Sequence, residues 1–466
     1  MASSQSLESI FKAYDIRGIV PDQLNAEIVE AIGEGFARFV SGEGCENIVV
    51  GRDMRESGVE LSAALMSGAA RAGAHITDIG LVSTDLLYFA SGHLDAAGAM
   101  LTASHNPAQY NGVKLCLPGA RPIGQESGLA QIRQMAEEVL SGPAGPDGAS
   151  SGENVRRLDL LEEFAAHVRS FVDTSRLRHL RIVADTANGM GGLVAPRVFD
   201  TLPFDVEILF GELDGTFPNH PADPIQPENQ SSLRERVLES RADVGLAFDG
   251  DADRVFLVDE KGVGLSGSLT TSIVAKSMLA KSQGATILYN LICSKAVPEV
   301  ITENGGIPVR TRVGHSFIKA VMAETGAVFG GEHSGHYYFE RNYRADSGII
   351  AALVVLEVIC DAGLPLSQVR IPFERYADSG EINTEVPDPH ALIDEVAGHY
   401  EELGASVDFL DGLTADFGEW WFNLRPSNTE PLLRLNLEAA DPQACKMHTD
   451  EVVALVHDLV ATRKDP

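Results

Sequence analysis

DVGLAFDGDADR, from Asp243 to Arg254, carries an apolar run, Val244 to Phe248, straight into three aspartates at alternate positions, Asp249, Asp251 and Asp253. An apolar run without polar alternation reads as a strand buried on both faces, as in a parallel sheet. The design recurs twice: GAMLT (Gly98 to Thr102) runs into ASHNP, and GAVFG (Gly326 to Gly330) runs into GEHSGH. Each of these strands closes a unit of alternating strands and helices. The units open at Asn47 to Val50, at Leu180 to Ala184 and at Thr286 to Tyr289, and in the first of them helical spacing follows over Val59 to Ala72. Alternation of this kind implies parallel sheets, and ligand sites in open α/β sheets lie at the carboxyl ends of the strands. The expected fold class is therefore α/β: three related mixed α/β domains whose strand-end loops share one active-site cleft. A smaller α+β domain is expected at the end, with strand pattern at Glu419 to Asn423 and Leu432 to Glu438, the loop RPSNTEP between them, and a helix over Asp441 to Thr462.

At 466 residues the chain exceeds one ordinary core, since domains usually hold about 100–200 residues. Composition shifts near Ser141 to Gly152, Gly262 to Gly267 and Pro372 give expected domains of 1–155, 156–262, 263–372 and 373–466. No basic start followed by an apolar stretch occurs over Met1 to Lys12, and the longest apolar run, Ile349 to Cys360, is too short to cross a bilayer and contains Glu357. A cytoplasmic protein is expected. Five scattered cysteines with no CxxC spacing argue for reduced thiols and against a zinc site. The formal net charge of −31 argues against nucleic acid or an anionic membrane as partner. It does not exclude a small phosphorylated ligand, because salt screens charges beyond a Debye length of about 8 Å.

Asp249, Asp251 and Asp253 share one face of an extended segment, where three carboxylates that close repel strongly unless a cation joins them; the alternative is a merely solvated acidic loop. Hard oxygen ligands suit Mg²⁺. An EF-hand loop, suggested by Glu260 at the twelfth position, fails because Arg254 stands at the sixth, where a glycine is needed, and both flanks read as strands. Ser104 sits where a strand stops and Asn106-Pro107 forces a turn, which makes it a nucleophile candidate or simply part of a structural turn. A GxSxG elbow is missing around it, and His105 is too near in sequence to be assigned as its base. Cations and polar groups suited to phosphate are Tyr14, Arg17, Lys114, Arg254, His315 and His336, with Arg425, Ser427, Asn428 and Thr429 gathered in one loop. The glycines of Asn188 to Gly192 lack the third glycine of GxGxxG and read as a strand-to-helix turn.

KAYDIRG, TASHNP, DGDADR, GEHSGH and RPSNTEP, in this order and spread over essentially the whole chain, resemble the α-D-phosphohexomutase superfamily. Tyr14-Asp15-Ile16-Arg17 and Asn428 resemble its bacterial phosphomannomutase/phosphoglucomutase branch more than the phosphoglucosamine mutases. The resemblance implies four domains around a cleft, a phosphoserine at Ser104, and Mg²⁺ held by Ser104, Asp249, Asp251 and Asp253. It further implies that Glu332 and Ser334 grip sugar hydroxyls, and that Arg425, Ser427, Asn428 and Thr429, with Tyr14 nearby, hold the phosphate not being transferred. Arg17, Lys114, Arg254, His315 and His336 would surround the reacting groups. The implied reaction interconverts hexose 1-phosphate and hexose 6-phosphate, of mannose or glucose, with a hexose 1,6-bisphosphate as intermediate and activator, in a monomer or dimer. A phosphoglucosamine mutase, a metal-assisted sugar phosphatase and a silent phosphosugar sensor are the competing readings. One departure from the family pattern is visible: Ile292 stands where many relatives carry a lysine, which leaves Lys295 without an assigned role.

Overall fold

The computed structural model describes residues 7–142, 155–386, 388–426 and 432–464, with the backbone alone at residues 315 and 462–464. Four sheets follow one another along the chain. In the first, the parallel strands Asn47–Arg52, His75–Leu81 and Ala97–Leu101 lie with the first of them in the middle. In the second, Leu180–Asp185 is flanked by Phe204–Leu209 and Val244–Phe248. In the third, Thr286–Asn290 is flanked by Ile307–Thr311 and Phe329–Gly331.

The order is the same in all three. So is the exit: the last parallel strand hands over to an antiparallel neighbour, Tyr110–Leu117, Val255–Asp259 or Tyr337–Phe339. Each polar cluster picked out in the sequence is thus the connection between a closing parallel strand and its antiparallel return. Every residue of the three closing strands is buried, which is why they read as unbroken apolar runs. Observed ends differ from the expected ones by up to three residues. The third closing strand starts at Phe329, where its ladder with Ile287 begins. Two short strands lie at the expected borders: Val155–Arg157 pairs with His75–Leu81 of the first sheet, and Gly264–Leu265 pairs with Val255–Asp259 of the second.

The fourth sheet is antiparallel throughout, with Ala377–Glu385, Leu432–Ala439, Trp420–Pro426, Leu413–Asp416 and Ser406–Asp408 in that spatial order, packed on helices Pro389–Glu402 and Pro442–Lys464. It has its own core around Leu392, Phe422, Leu435 and Val452. One continuous core instead joins the first three units, from Val49 and Leu87 through Ile182 and Leu246 to Ile287 and Leu353. Contacts between the third and fourth units include ion pairs: Lys295 with Asp416, and Arg310 with Asp408. The architecture therefore couples three apolar-welded units to a fourth through a polar joint.

The apolar run at Ile349 to Cys360 forms most of helix Gly348–Ala362, which is buried inside this shared core. Its Glu357 is satisfied there by Lys281 Nζ at 2.5 Å and by the amide of Asp173 at 2.8 Å. Among the described residues no single helix is long and apolar enough to cross a membrane. Leu353 lies fully buried in this helix, so Leu353→Ala is expected to destabilise the protein by roughly 2–5 kcal/mol. A urea titration should show a lower midpoint with little change in slope.

Candidate active site

Ser104 is fully buried at the end of its strand, with φ at +50°. A non-glycine residue pays for this left-handed conformation. Its amide donates to Thr102 Oγ1 at 2.9 Å, and its Oγ donates to Asp249 Oδ2 at 2.8 Å. The close approach of the two loops demands Gly250, because a Cβ there would stand 2.5 Å from the carbonyl oxygen of Ser104. The glycine turn at Asn188 to Gly192 packs against the same point: Met190 donates its amide to the carbonyl of Gly250, and a Cβ at Gly189 would sit 2.6 Å from that oxygen. This turn is the strand-to-helix connection that its glycines suggested.

Asp249, Asp251 and Asp253 are all buried, and one carboxylate oxygen from each lies within 4.8 Å of the others. Burial, followed by the charges of Asp253 and Asp251, pushes the Asp249 carboxyl well above its ordinary range. Burial also opposes ionisation of Asp251, but the hydrogen-bonded Lys114 ammonium prevails and holds it below the usual range. Lys114 Nζ donates to Asp251 Oδ2 at 2.8 Å and to Asp253 Oδ2 at 2.7 Å. Thr84, the first residue of helix Thr84–Leu94, donates its amide to the Asp251 carbonyl and its hydroxyl to Asp251 Oδ2 at 2.5 Å. Asp251 Oδ1 and Asp253 Oδ1 accept no hydrogen bond although buried. Hard oxygen donors left unpaired out of water fit a divalent cation.

Around this centre, Arg254 donates from Nε to His336 Nε2 at 3.1 Å and from Nη2 to His105 Nδ1 at 2.9 Å. The His105 ring nitrogen also lies 3.2 Å from Ser104 Oγ. Burial, then the charges of Arg254 and Arg17, push the His105 imidazole well below its ordinary range, so it is neutral. Arg17 pairs with Asp15 at 2.8 Å and reaches the Ser104 loop at Asn106 Oδ1. Glu332 accepts from Tyr338 Oη at 2.7 Å, from the Gly314 amide at 3.1 Å and from Asn290 at 3.3 Å. Against the cost of burial, these bonds and His336 bring its carboxyl down to about 2. Ser334 Oγ lies 3.0 Å from His336 Nδ1. Arg425 is buried against Glu381 at 2.8 Å, and burial, only partly offset by Glu381, lowers its guanidinium from the ordinary range. Tyr14 packs on Gly314, whose φ of +125° requires glycine.

The first three strand-end loops therefore meet, and bring Ser104, the aspartates, Lys114, Arg254, His336 and Glu332 into one buried polar cluster. Ser427, Asn428 and Thr429 lie outside the described residues, as does the side chain of His315; the backbone of His315 starts helix His315–Thr325. Lys295 does not join the cluster. Its ammonium pairs with Asp416 at 2.7 Å and donates to the Gly418 carbonyl at the joint with the fourth unit.

Residues 8–141 match the family described as phosphoglucomutase/phosphomannomutase, alpha/beta/alpha domain I. Residues 161–262 and 266–376 match its alpha/beta/alpha domains II and III, and 381–455 its C-terminal domain. A protein of Xanthomonas campestris pv. campestris described under phosphohexose mutases is 40% identical over 449 residues, covering 96% of this chain and 98% of the relative. The chain belongs to the phosphoglucomutase/phosphomannomutase family. The phosphomannomutase of Escherichia coli K12 is 37% identical over 456 residues, covering 96% of this chain and 99% of its own. A solved phosphoglucomutase/phosphomannomutase family protein from Burkholderia thailandensis superposes with a TM-score of 0.86 at 30% identity, covering 98% of each chain. With the family comes the enzyme class, an isomerase that works by phosphoryl transfer.

One buried carboxyl beside the aspartate loop gives a pH test. Asp85 is fully buried and accepts from Ser347 Oγ at 2.6 Å and from Ser83 Oγ. Desolvation outweighs these bonds and pushes its carboxyl up to about 7. A carboxyl whose folded value exceeds its unfolded one favours the native state at low pH, and that contribution is lost as pH rises through the folded value. Asp85→Asn is expected to flatten the fall in stability between about pH 4 and pH 7, measured as urea midpoints across that range.

Proposed function

We propose that this enzyme is a phosphohexomutase that interconverts the 1- and 6-phosphates of mannose, glucose or both, with Ser104 as its phosphoryl carrier and Mg²⁺ as its cation. The observation that carries the reading is a buried serine hydroxyl 2.8 Å from an aspartate triplet that holds unpaired oxygens. Asp249, Asp251 and Asp253 would hold Mg²⁺ together with the phosphate on Ser104. The ion would supply positive charge to the transferring group.

In the forward half, the bond between Ser104 Oγ and phosphorus breaks as a sugar hydroxyl oxygen bonds to that phosphorus. The hydroxyl proton passes to a neighbouring base: of the candidates, Lys114 is held as an ammonium by Asp251 and Asp253, which leaves His315 and His336. The sugar then carries two phosphates. In the return half Ser104 Oγ bonds to the phosphorus of the other phosphate as its bond to the sugar oxygen breaks, and the proton held by the base passes to that oxygen, leaving the isomer. Arg254, fixed between His105 and His336, and Arg17, fixed on Asn106, present guanidinium groups to the charge that develops in transfer. Glu332 and Ser334 face the sugar hydroxyls, while Arg425 and Tyr14, with Ser427, Asn428 and Thr429, take the phosphate that stays. A hexose 1,6-bisphosphate restores enzyme that has lost its phosphate and so activates it.

A time course with Mg²⁺ and a trace of hexose 1,6-bisphosphate on mannose, glucose and glucosamine 1-phosphates tests the proposal. Conversion of mannose or glucose 1-phosphate to the 6-phosphate is expected, without matching release of inorganic phosphate. Turnover of glucosamine 1-phosphate alone would make it a phosphoglucosamine mutase, and phosphate release alone a phosphatase. Ser104→Ala should lower kcat by roughly a thousandfold or more.

A further inference from the structure

Beyond the residues that face the cleft, Arg55 has an arrangement that packing alone does not explain. It is about 1% exposed, and it spends all five guanidinium N–H groups. Nε donates to Asp53 Oδ2 at 3.2 Å. Nη1 donates to the carbonyls of Pro107 and Tyr110, both at 2.9 Å. Nη2 donates to the carbonyls of Ser104 at 3.0 Å and Asn106 at 2.6 Å. Four carbonyls of one loop therefore converge on one planar cation. The Phe217 ring lies 5.1 Å from Cζ, and a Cβ at Gly215 would stand 2.7 Å from Arg55 Cα, so a segment of the second unit closes over it.

The carbonyls of Ser104, Asn106 and Pro107 belong to the connection between strands Ala97–Leu101 and Tyr110–Leu117, and that of Tyr110 to the first residue of the return strand. Without Arg55 the buried carbonyl of Ser104 would lose its donor, at a cost, and the carbonyls of Asn106, Pro107 and Tyr110 would lose a charged one. Instead they meet the guanidinium, and Ser104 Oγ turns toward Asp249. The carbonyl of Ser104 is held from one side by Nη2 and confined on the other by Gly250. This fixes the peptide that follows a residue already in a left-handed conformation, and so fixes the direction of Oγ toward Asp249.

We infer that Arg55 is a positioning residue for phosphoryl transfer: it sets the backbone of the Ser104 loop so that the serine oxygen stands in line with the transferring phosphorus. The inference rests on Ser104 as the phosphoryl carrier. Lysine cannot replace it, because an ammonium has three donors in tetrahedral array and no planar fork to meet four carbonyls.

The test is Arg55→Lys in the full-length enzyme, with kcat and KM for the sugar 1-phosphate, the folded fraction by circular dichroism and urea titration, and the phosphoserine signal by ³¹P NMR. Expected is a fall in kcat of roughly ten- to a hundredfold per folded molecule, because a small misplacement of a reacting atom costs that much. KM should stay within about twofold, since the sugar contacts lie elsewhere. The phosphoserine resonance should shift or broaden in the variant. Unchanged kcat per folded molecule would overturn the inference, as would a loss of activity that follows the folded fraction alone. If the variant is unfolded at 25 °C, Asp53→Asn, which loosens the guanidinium while leaving Arg55 in place, must show the same loss in kcat with unchanged KM, or the inference fails. Wild-type enzyme that turns over with no phosphoserine resonance would remove the Ser104 reading itself, and the role of Arg55 with it.

Discussion

Three carboxylates within 4.8 Å of one another, all withdrawn from water, set the terms for everything around them. Repulsion at that distance in a medium of low dielectric is severe, and it has to be offset by cations or by protons. The structure places cationic side chains at the spot: Lys114 bridges two of the aspartates, and Arg254 stands behind the third at 3.5 Å. It also leaves two carboxylate oxygens without hydrogen bonds, pointing to a divalent cation as the missing partner. An acidic chain of net charge −31 thus concentrates positive charge where a phosphoryl group would pass.

Holding such a cluster needs a rigid frame. Three sheets with one strand order share a core, and the handover from the last parallel strand to its antiparallel return delivers the Ser104, Asp249 and Glu332 loops to one place. The fourth unit has a separate core and meets the third through ion pairs, and it brings Arg425 with it. Polar joints open more readily than apolar ones, which suits a cleft that must admit and release its ligand.

Much of this was legible in the chain because burial on both faces leaves an unmistakable mark: VGLAF, GAMLT and GAVFG could only be inner strands, and each stopped at a polar cluster. The aspartate triplet was equally plain, since alternate carboxylates after a buried strand have few other uses. What stayed hidden depends on contacts far apart in sequence. The sequence around Thr84 does not mark it as the residue that grips Asp251. Nothing in GRDMR announced that Arg55 would gather the carbonyls of a loop some fifty residues on. His105 could not be assigned from adjacency; the structure puts its ring between Ser104 and Arg254. Lys295, left open beside Ile292, turned out to serve the joint with the fourth unit. Short strands such as Val155–Arg157 and Gly264–Leu265 escaped notice because so few residues carry no periodicity.

The central claim is that Ser104 carries the phosphoryl group between the two sugar positions. Mass spectrometry of the Ser104 peptide, from enzyme treated with hexose 1,6-bisphosphate and then with excess hexose monophosphate, tests it most directly. The account predicts phosphate on Ser104 after the first step and its depletion after the second, as the group moves to sugar. Isomerisation proceeding while Ser104 stays unmodified would contradict it.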